Sequence, residues 1–394
     1  MVTIEQARVL LAQSVRALEP ADLAVAAVAG LRLADAPRAQ FDLPPADVSA
    51  MDGYAARAED LGAGPLAVAG DICAGIPQMR LAAGTIARIQ TGAEIPIGAD
   101  VVIPQEKAVS EPGGCVRLRP SSPGSFIRKL GEVCSVGEIL SDAGEMITPH
   151  LLGLLASAGP ALLKVTPRPR IVIVTTGSEL VGPSERPGQG KIRDGNACML
   201  RALAMSANLL VSTHERVPDL QPELLSAVST ATGVADIIVT SGGVSVGNYD
   251  LVRRVVEELG GEVLFHGVAI RPGKPILAAR LGSKWLVGLP GNPLSALVGW
   301  RVFVRPLVEA LAGDTKAFDD PTEEGTVTEV ASNTGDRMTF APALTTFDGR
   351  KCCIRLIPWK GSHDLYAIRR ANSLAVLPAG TRIEPGGTMS FLRL

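Results

Sequence analysis

The run SGGVSVGNYD, from Ser241 to Asp250, follows an apolar stretch at 236–240 and precedes a helical pattern over 251–259. Strand, glycine turn and helix in that order make a cradle for an anion. Gly242 and Gly243 let the backbone turn sharply, so successive N–H groups and the positive end of the next helix converge on one oxyanion. The same grammar stands upstream, where IVIV at 171–174 runs into TTGSEL at 175–180, and downstream, where WLVGL at 285–289 runs into PGNPLS at 290–295. In the third copy Asn292 reads as an N-cap and Pro293 as the first helical residue, where a missing N–H has no consequence. Loops at the carboxyl ends of strands in an open parallel sheet line one crevice, so all three are expected to face a single phosphate or other oxyanion.

Acids stand beside these loops, Glu179 after the first and Asp250 at the end of the second. Two like unit charges about 4 Å apart repel by roughly 4 kcal/mol at an effective dielectric of about 20, so bare carboxylates would expel an oxyanion. A hard cation resolves the conflict, because Mg2+ takes carboxylate and phosphate oxygens together. The plainer alternative is that both acids cap helices. Arg271 and Lys274, in the RPGKP turn at 271–275, supply positive charge to the ligand or are solvated surface. His266 has no companion in sequence and reads as packed. Asp52-Gly53, within SAMDGYA at 49–55, reads as a hairpin turn, and Thr91 in TGA at 91–93 is as modest alone. No Ser-His-Asp or Cys-His grammar and no GxxxxGK[ST] motif occurs.

Positioning such loops takes a large chain. At 394 residues, two to four domains are expected. A net charge of −2 with scattered basic residues argues against nucleic acid, 4% aromatic residues leave few stacking platforms, and no apolar run reaches the length of a membrane span. Thr3 and Gln6 form a capping box ahead of an amphipathic start without a signal-peptide pattern, which places the protein in the cytoplasm. The six cysteines lack CxxC spacing and read as buried, reduced thiols.

Texture divides the chain. Residues 1–45 read as helical by period, and Thr148-Pro149 repeats the cap-then-proline start of a helix stopped by Gly159; with 144–164 these form one helical domain whose two stretches pack together. Short apolar runs broken by Gly and Pro over 46–143 indicate an inserted all-β domain. Alternating strands and helices over 165–315 indicate a central doubly wound α/β domain with a parallel sheet. The remainder, 316–394, reads as a C-terminal β domain, barrel-like in type.

Taken together, SAMDGYA at 49–55, TGA at 91–93, TTGSEL at 175–180, SGGVSVGNYD at 241–250, RPGKP at 271–275 and GLPGNPLSA at 288–296 resemble the MoeA family of molybdopterin molybdotransferases, which includes the E domain of gephyrin. The resemblance implies an elongated four-domain subunit, a homodimer, and a cleft between subunits. There adenylylated molybdopterin and molybdate react, with a divalent cation, to give molybdenum cofactor and AMP. By motif position it nominates Asp52, Thr91, Glu179, Asp219 and Asp250 as cation or substrate groups, with Asp52, Glu179 and Asp250 toward the metal. It nominates Gly177, Ser241, Gly242, Gly243, Ser245, Pro290, Gly291, Asn292 and Pro293 as cradle positions, and Arg271 and Lys274 as phosphate or molybdate holders. Arg128 matches the family's R-x-x-G-E-D turn, and Arg337 and Ser362 are further candidates in the last domain. Departures stand at Val133, where an acid is replaced, and at Val48, Asn248 and Gly267.

The expected activity is therefore molybdenum insertion with AMP release, in company with the adenylyltransferase of the preceding step and recipient apo-molybdoenzymes. Two alternatives stay open: an adenylyltransferase or pyrophosphatase-like paralogue, and a non-catalytic scaffold that binds the pterin.

Overall fold

The structure, a computed structural model, describes residues 1–244, 250–319, 321–349 and 351–394. Contacts divide the chain into two units, one of Ala21–Val165 and the other of Met1–Pro20 with Thr166–Leu394.

The larger unit begins with helix α1 (Ile4–Ser14), held by the expected capping box: Gln6 N donates to Thr3 Oγ1 and Thr3 N to Gln6 Oε1, at 3.2 and 2.9 Å. Ile4, Ala7 and Leu11 are its buried stripe. In the smaller unit, helix α2 (Pro149–Ala158) is capped by Thr148, whose Oγ1 accepts from Leu151 N at 3.2 Å. Leu155 joins Val28, Leu31, Leu33, Ile147 and Leu163 in a local core. Residues 21–45 are not helical. Ala21–Ala24 is a strand, Val25–Ala27 a 3-10 turn and Arg32–Leu33 a short strand, and the rest is irregular. Pro20, Gly30, Pro37, Pro44 and Pro45 interrupt any helical period there. The two stretches therefore separate, α1 in the larger unit and 21–45 in the smaller unit with α2. The smaller unit also holds a strand at Leu162–Thr166 paired with Ala21–Ala24, a short ladder of Val48–Ser49 with Ile127–Arg128, and a six-stranded sheet in the order Val101–Pro104, Gly53–Ala56, Thr85–Ile89, Leu66–Ile72, Cys115–Leu118, Ala108–Ser110.

The larger unit is built on six strands: β1 (Arg170–Thr176), β2 (Leu210–Val217), β3 (Ile237–Ser241), β4 (Glu262–His266), β5 (Leu277–Leu281) and β6 (Lys284–Leu289), in spatial order β2-β1-β3-β6-β5-β4. β2, β1, β3 and β6 are parallel, whereas β5 is antiparallel to both neighbours, so the sheet is mixed. Alternation on β1 sorts the two faces. Ile171 and Ile173 pack with helix α3 (Gly195–Ser206) and helix α6 (Pro293–Gly299), and Val172 and Val174 pack with helix α4 (Gln221–Thr232) and helix α5 (Leu251–Glu258). The doubly wound expectation holds.

Beyond it, β7 (Glu323–Val327), β8 (Met338–Asp348), β9 (Lys351–Leu356), β10 (Ser373–Leu377) and β11 (Thr388–Arg393) close into a barrel, because β8 pairs with both β9 and β10. Cys134 alone of the free cysteines is buried; Cys198 is exposed and the others intermediate. Among the described residues no helix is long and apolar enough to cross a membrane.

Candidate active site

The carboxyl ends of β1, β3 and β6 are flush, Thr175 opposite Ser241 and Ser241 opposite Leu289. The three expected loops therefore open at one level of the sheet. They border a pocket of about 310 Å3 whose walls include Thr175, Thr176, Glu179, Asn196, Ser241 and Pro293. Gly291, Asn292 and Arg193 also face it, as do His363 and Leu365 from the C-terminal segment. Gly242 sits at φ 96, and a Cβ there would overlap the Thr176 carbonyl oxygen, so only glycine lets β3 turn this close to β1. Gly243, at φ 65, follows it. Gly177 is buried beneath Glu179. Asn292 is the N-cap residue of α6 by backbone position, without a side-chain cap bond, and Pro293 opens the helix as expected. Ser245 and Asn248 lie outside the described residues.

Residues without a sequence nomination hold this pocket together. Asn196 Nδ2 donates to Ser241 Oγ at 2.9 Å and to the Gly291 carbonyl at 2.7 Å, bridging two of the three loops. Asp194, almost wholly buried, caps α3 by accepting from Ala197 N at 2.9 Å, and accepts the Thr175 hydroxyl at 2.6 Å. His214 Nε2 stands 3.0 Å from that hydroxyl and 3.6 Å from the carboxylate. Burial works to raise the pKa of Asp194, but hydrogen bonds from His214, Thr175 and Ala197 outweigh it and hold the group below the ordinary range. An Asp directly before a helix, as in RDGN at 193–196, is a cap signal that could have marked this element.

The nominated acids fall at different places along the strand ends. Glu179 is exposed on the pocket wall. Asp219 accepts the Thr176 hydroxyl at 2.7 Å and gives its N–H to Ser178 Oγ at 3.3 Å, and it is not among the described residues lining the pocket. Asp250 is 5% exposed and caps α5, its Oδ1 accepting from Arg253 N at 3.2 Å. Its Oδ2 lies 3.1 Å from Nε2 of His266, at the end of β4, yet neither atom has a hydrogen-bond partner among the described residues. Burial raises the pKa of Asp250, against the Arg253 amide and His266. His266 is thus packed, as expected, but against a carboxylate. Asp250 is not among the described residues lining the Glu179 pocket.

In the smaller unit Asp52 and Thr91 do come together: Thr91 N and Oγ1 both donate to Asp52 Oδ1. Those bonds, the amide foremost, hold the Asp52 carboxyl below its ordinary pKa. Asp52 precedes a strand inside the sheet, not a two-residue hairpin, and a Cβ at Gly53 would overlap the Ile103 carbonyl oxygen. Arg128 is exposed and pairs with Val48 across a short ladder, beside an ion pair of Lys129 with Asp47 at 2.7 Å. Val133 is 63% exposed. In the larger unit Arg271 and Lys274 are exposed. Arg337 donates to the Ile270 carbonyl at 3.1 Å, and the Ser362 carbonyl accepts from Leu294 N at 2.9 Å, fastening the turn before His363 to α6. Pro290 is buried, its carbonyl 3.4 Å from Ser241 Oγ. Among the described residues no group of three or more His, Cys, Asp or Glu side chains is arranged to hold a metal ion.

Residues 2–159 match the family described as MoeA N-terminal region (domain I and II), and residues 172–310 match "Probable molybdopterin binding domain". Molybdopterin molybdenumtransferase 2 of Mycobacterium tuberculosis is 33% identical, with 98% of this chain and 99% of that protein covered. The molybdopterin molybdenumtransferase of Haemophilus influenzae is 34% identical over 86% of this chain and 84% of its own. A crystal structure of the molybdopterin biosynthesis MoeA protein from Pyrococcus horikosii superimposes with a TM-score of 0.80 at 29% identity, covering 100% of this chain and 99% of that one. On near full-length identity above 30%, the chain belongs to the MoeA family of molybdopterin molybdenumtransferases.

Proposed function

We propose that this protein inserts molybdenum into molybdopterin, taking adenylylated molybdopterin and molybdate as substrates and releasing AMP. The observation that carries the reading is the pocket at the ends of β1, β3 and β6, where the first residues of α3 and α6, the loop after β1 and Ser241 at the end of β3 face one space. Helix N-termini and turn amides favour negative charge, and all the groups to be bound are anionic. Asn196 keeps the loops at the spacing that lets one phosphate meet both. Arg193 and the exposed Arg271 and Lys274 are proposed to hold phosphate or molybdate oxygens, with Arg128, Arg337 and the Ser362 turn as further substrate contacts.

Mg2+ fits in the manner it often adopts, through one or two carboxylates plus phosphate oxygens, with Glu179 as the carboxylate on the pocket wall and Asp219, behind Thr176, as a second. When bound it would neutralise phosphate charge and polarise the phosphoanhydride. Asp52 and Asp250, nominated with Glu179 for the metal, and Thr91, which orients Asp52, are proposed to serve the same reaction. A cytoplasmic homodimer that hands its product to apo-molybdoenzymes, supplied by an adenylyltransferase, belongs to the same proposal.

Reconstitution with adenylylated molybdopterin, molybdate and Mg2+ tests it. AMP release should require both molybdate and the cation, and the product should activate an apo-molybdoenzyme. Release at full rate without molybdate would refute the insertase reading, and an adenylylated product from ATP and metal-free molybdopterin would favour the adenylyltransferase.

A further inference from the structure

Arg301 is a half-buried cation with no carboxylate hydrogen-bonded to it among the described residues. It lies in the π-helical stretch Trp300–Val304 that continues α6, and its Nε is enclosed with no acceptor among the described residues. Glu309, the acid that attracts it, already accepts from Arg305 Nε at 2.8 Å, and Arg305 itself repels Arg301. Burial, then Arg305, pushes its pKa below the ordinary value. Removing a guanidinium from water is costly unless an anion meets it, so an unpaired one at a cavity wall marks where an anion would be stabilised.

Arg301 lines such a cavity, of about 100 Å3, separate from the pocket at the strand ends. Arg8 and Thr322 also line it, and the rest of the wall is apolar: Ile4 from α1, Val302, Pro321, and Met338, Phe340, Val376 and Leu392 from the barrel strands. Glu5 stands at the same cavity and is exposed. Two guanidiniums, Arg301 and Arg8, set against the one carboxylate of Glu5 leave about one positive charge at the cavity, which suits a monoanion and disfavours a phosphate dianion or polyanion. An apolar cavity of roughly 150 Å3 holds a benzene ring, so this smaller one suits about four or five carbons.

We infer that this cavity is a binding site for a short branched-chain monocarboxylate, its carboxylate on Arg301 and its hydrocarbon tail among Val302, Phe340, Val376 and Leu392. Charge-assisted hydrogen bonds contribute a factor of about ten or more in affinity, which sets the expected discrimination between acid and neutral amide.

Calorimetric titration of the full chain with isovalerate, isovaleramide and acetate tests this. Isovalerate should bind saturably, at least about tenfold tighter than isovaleramide and than acetate. It should also shift the methyl resonances of Val376 and Leu392. Arg301→Met should abolish the preference for acid over amide while leaving the circular dichroism spectrum unchanged. Equal binding of acid and amide to the wild-type protein overturns the role of Arg301, whether or not the variant folds. Acetate binding as tightly as isovalerate overturns the apolar subsite, and absence of saturable isovalerate binding overturns the site.

Discussion

Thr91 gives both its backbone N–H and its hydroxyl to a single oxygen of Asp52, at 2.7 and 2.9 Å, although the two residues stand 39 positions apart. The carboxylate is fully accessible, so what these donors control is orientation and proton affinity, not burial. Thr91→Val removes one donor and keeps the other. The Asp52 pKa should then rise toward the ordinary range, by less than in a variant that also lost the amide bond. Because the depressed value keeps Asp52 ionised down to low pH, the acid limb of AMP release should move to higher pH. Carbon-detected NMR titration of the Asp52 carboxyl checks this, and an unmoved midpoint would remove Thr91 from the argument.

Asn196→Ala should loosen the pocket. The substitution leaves the Gly291 carbonyl, at an exposed residue, without its side-chain donor, and the buried Ser241 hydroxyl without the Asn196 contact. Losing a buried partner costs about 1–3 kcal/mol. The denaturant midpoint should fall accordingly, and KM for the adenylylated substrate should rise more than kcat falls. A drop in stability with KM unchanged would mean the bridge does not shape the binding surface.

Gly242→Ala places a methyl group on the Thr176 carbonyl oxygen at a φ of 96. The backbone conformation alone is unfavourable for alanine by about 1–3 kcal/mol, and the overlap adds to that. Chemical denaturation should show a loss of at least that size. Gly195→Ala, where an added Cβ meets nothing within 4 Å and φ is not left-handed, should be tolerated and serves as the control.

Asp194 and Asp250 should respond to pH with opposite signs. The folded-state pKa of Asp194 is depressed, so its stabilisation is present above the unfolded value, about 3.9, and is lost as pH falls through the folded value. Asp194→Asn should therefore flatten the acid side of the stability curve. The folded-state pKa of Asp250 is raised by burial, so its contribution is complete below the unfolded value and is lost as pH rises through the folded one. Asparagine also caps helices, so Asp250→Asn should unfold at the same or a higher denaturant concentration than wild type at pH 7 while AMP release is abolished. An active Asp250→Asn protein would take the residue out of the reaction.

What could be read from the amino-acid order was what neighbours in the chain decide. Thr3 with Gln6, Thr148 with Pro149, and the strand-to-glycine turns at Gly177 and Gly242 are local signals, and each element formed where expected. Residues 21–45 misled because their apolar spacing resembles a helix while Pro20, Gly30 and Pro37 break every turn. The bridge from Asn196 to Gly291 joins residues 95 positions apart, so no window of sequence contains both partners, and the pairing of His266 with Asp250 is set by how β4 lies against the start of α5, which no local pattern states. Motif position would have Glu179, Asp219 and Asp250 line one crevice, whereas of the three only Glu179 lines the pocket. It could not say that Asp219 would spend an oxygen on Thr176, or that Asp250 would turn inward to His266.

The closure of Met338–Asp348 against both Lys351–Leu356 and Ser373–Leu377 has a consequence for association. Each of the five barrel strands has a neighbour on either side, and Ile270–Arg271 takes the start of Met338–Asp348 besides, which leaves that ring little open ladder onto which a foreign chain could zip its main chain. Whatever docks on this part of the molecule must grip outward-pointing side chains, and specificity there can drift by single substitutions without unpicking the hydrogen-bonded hoop beneath.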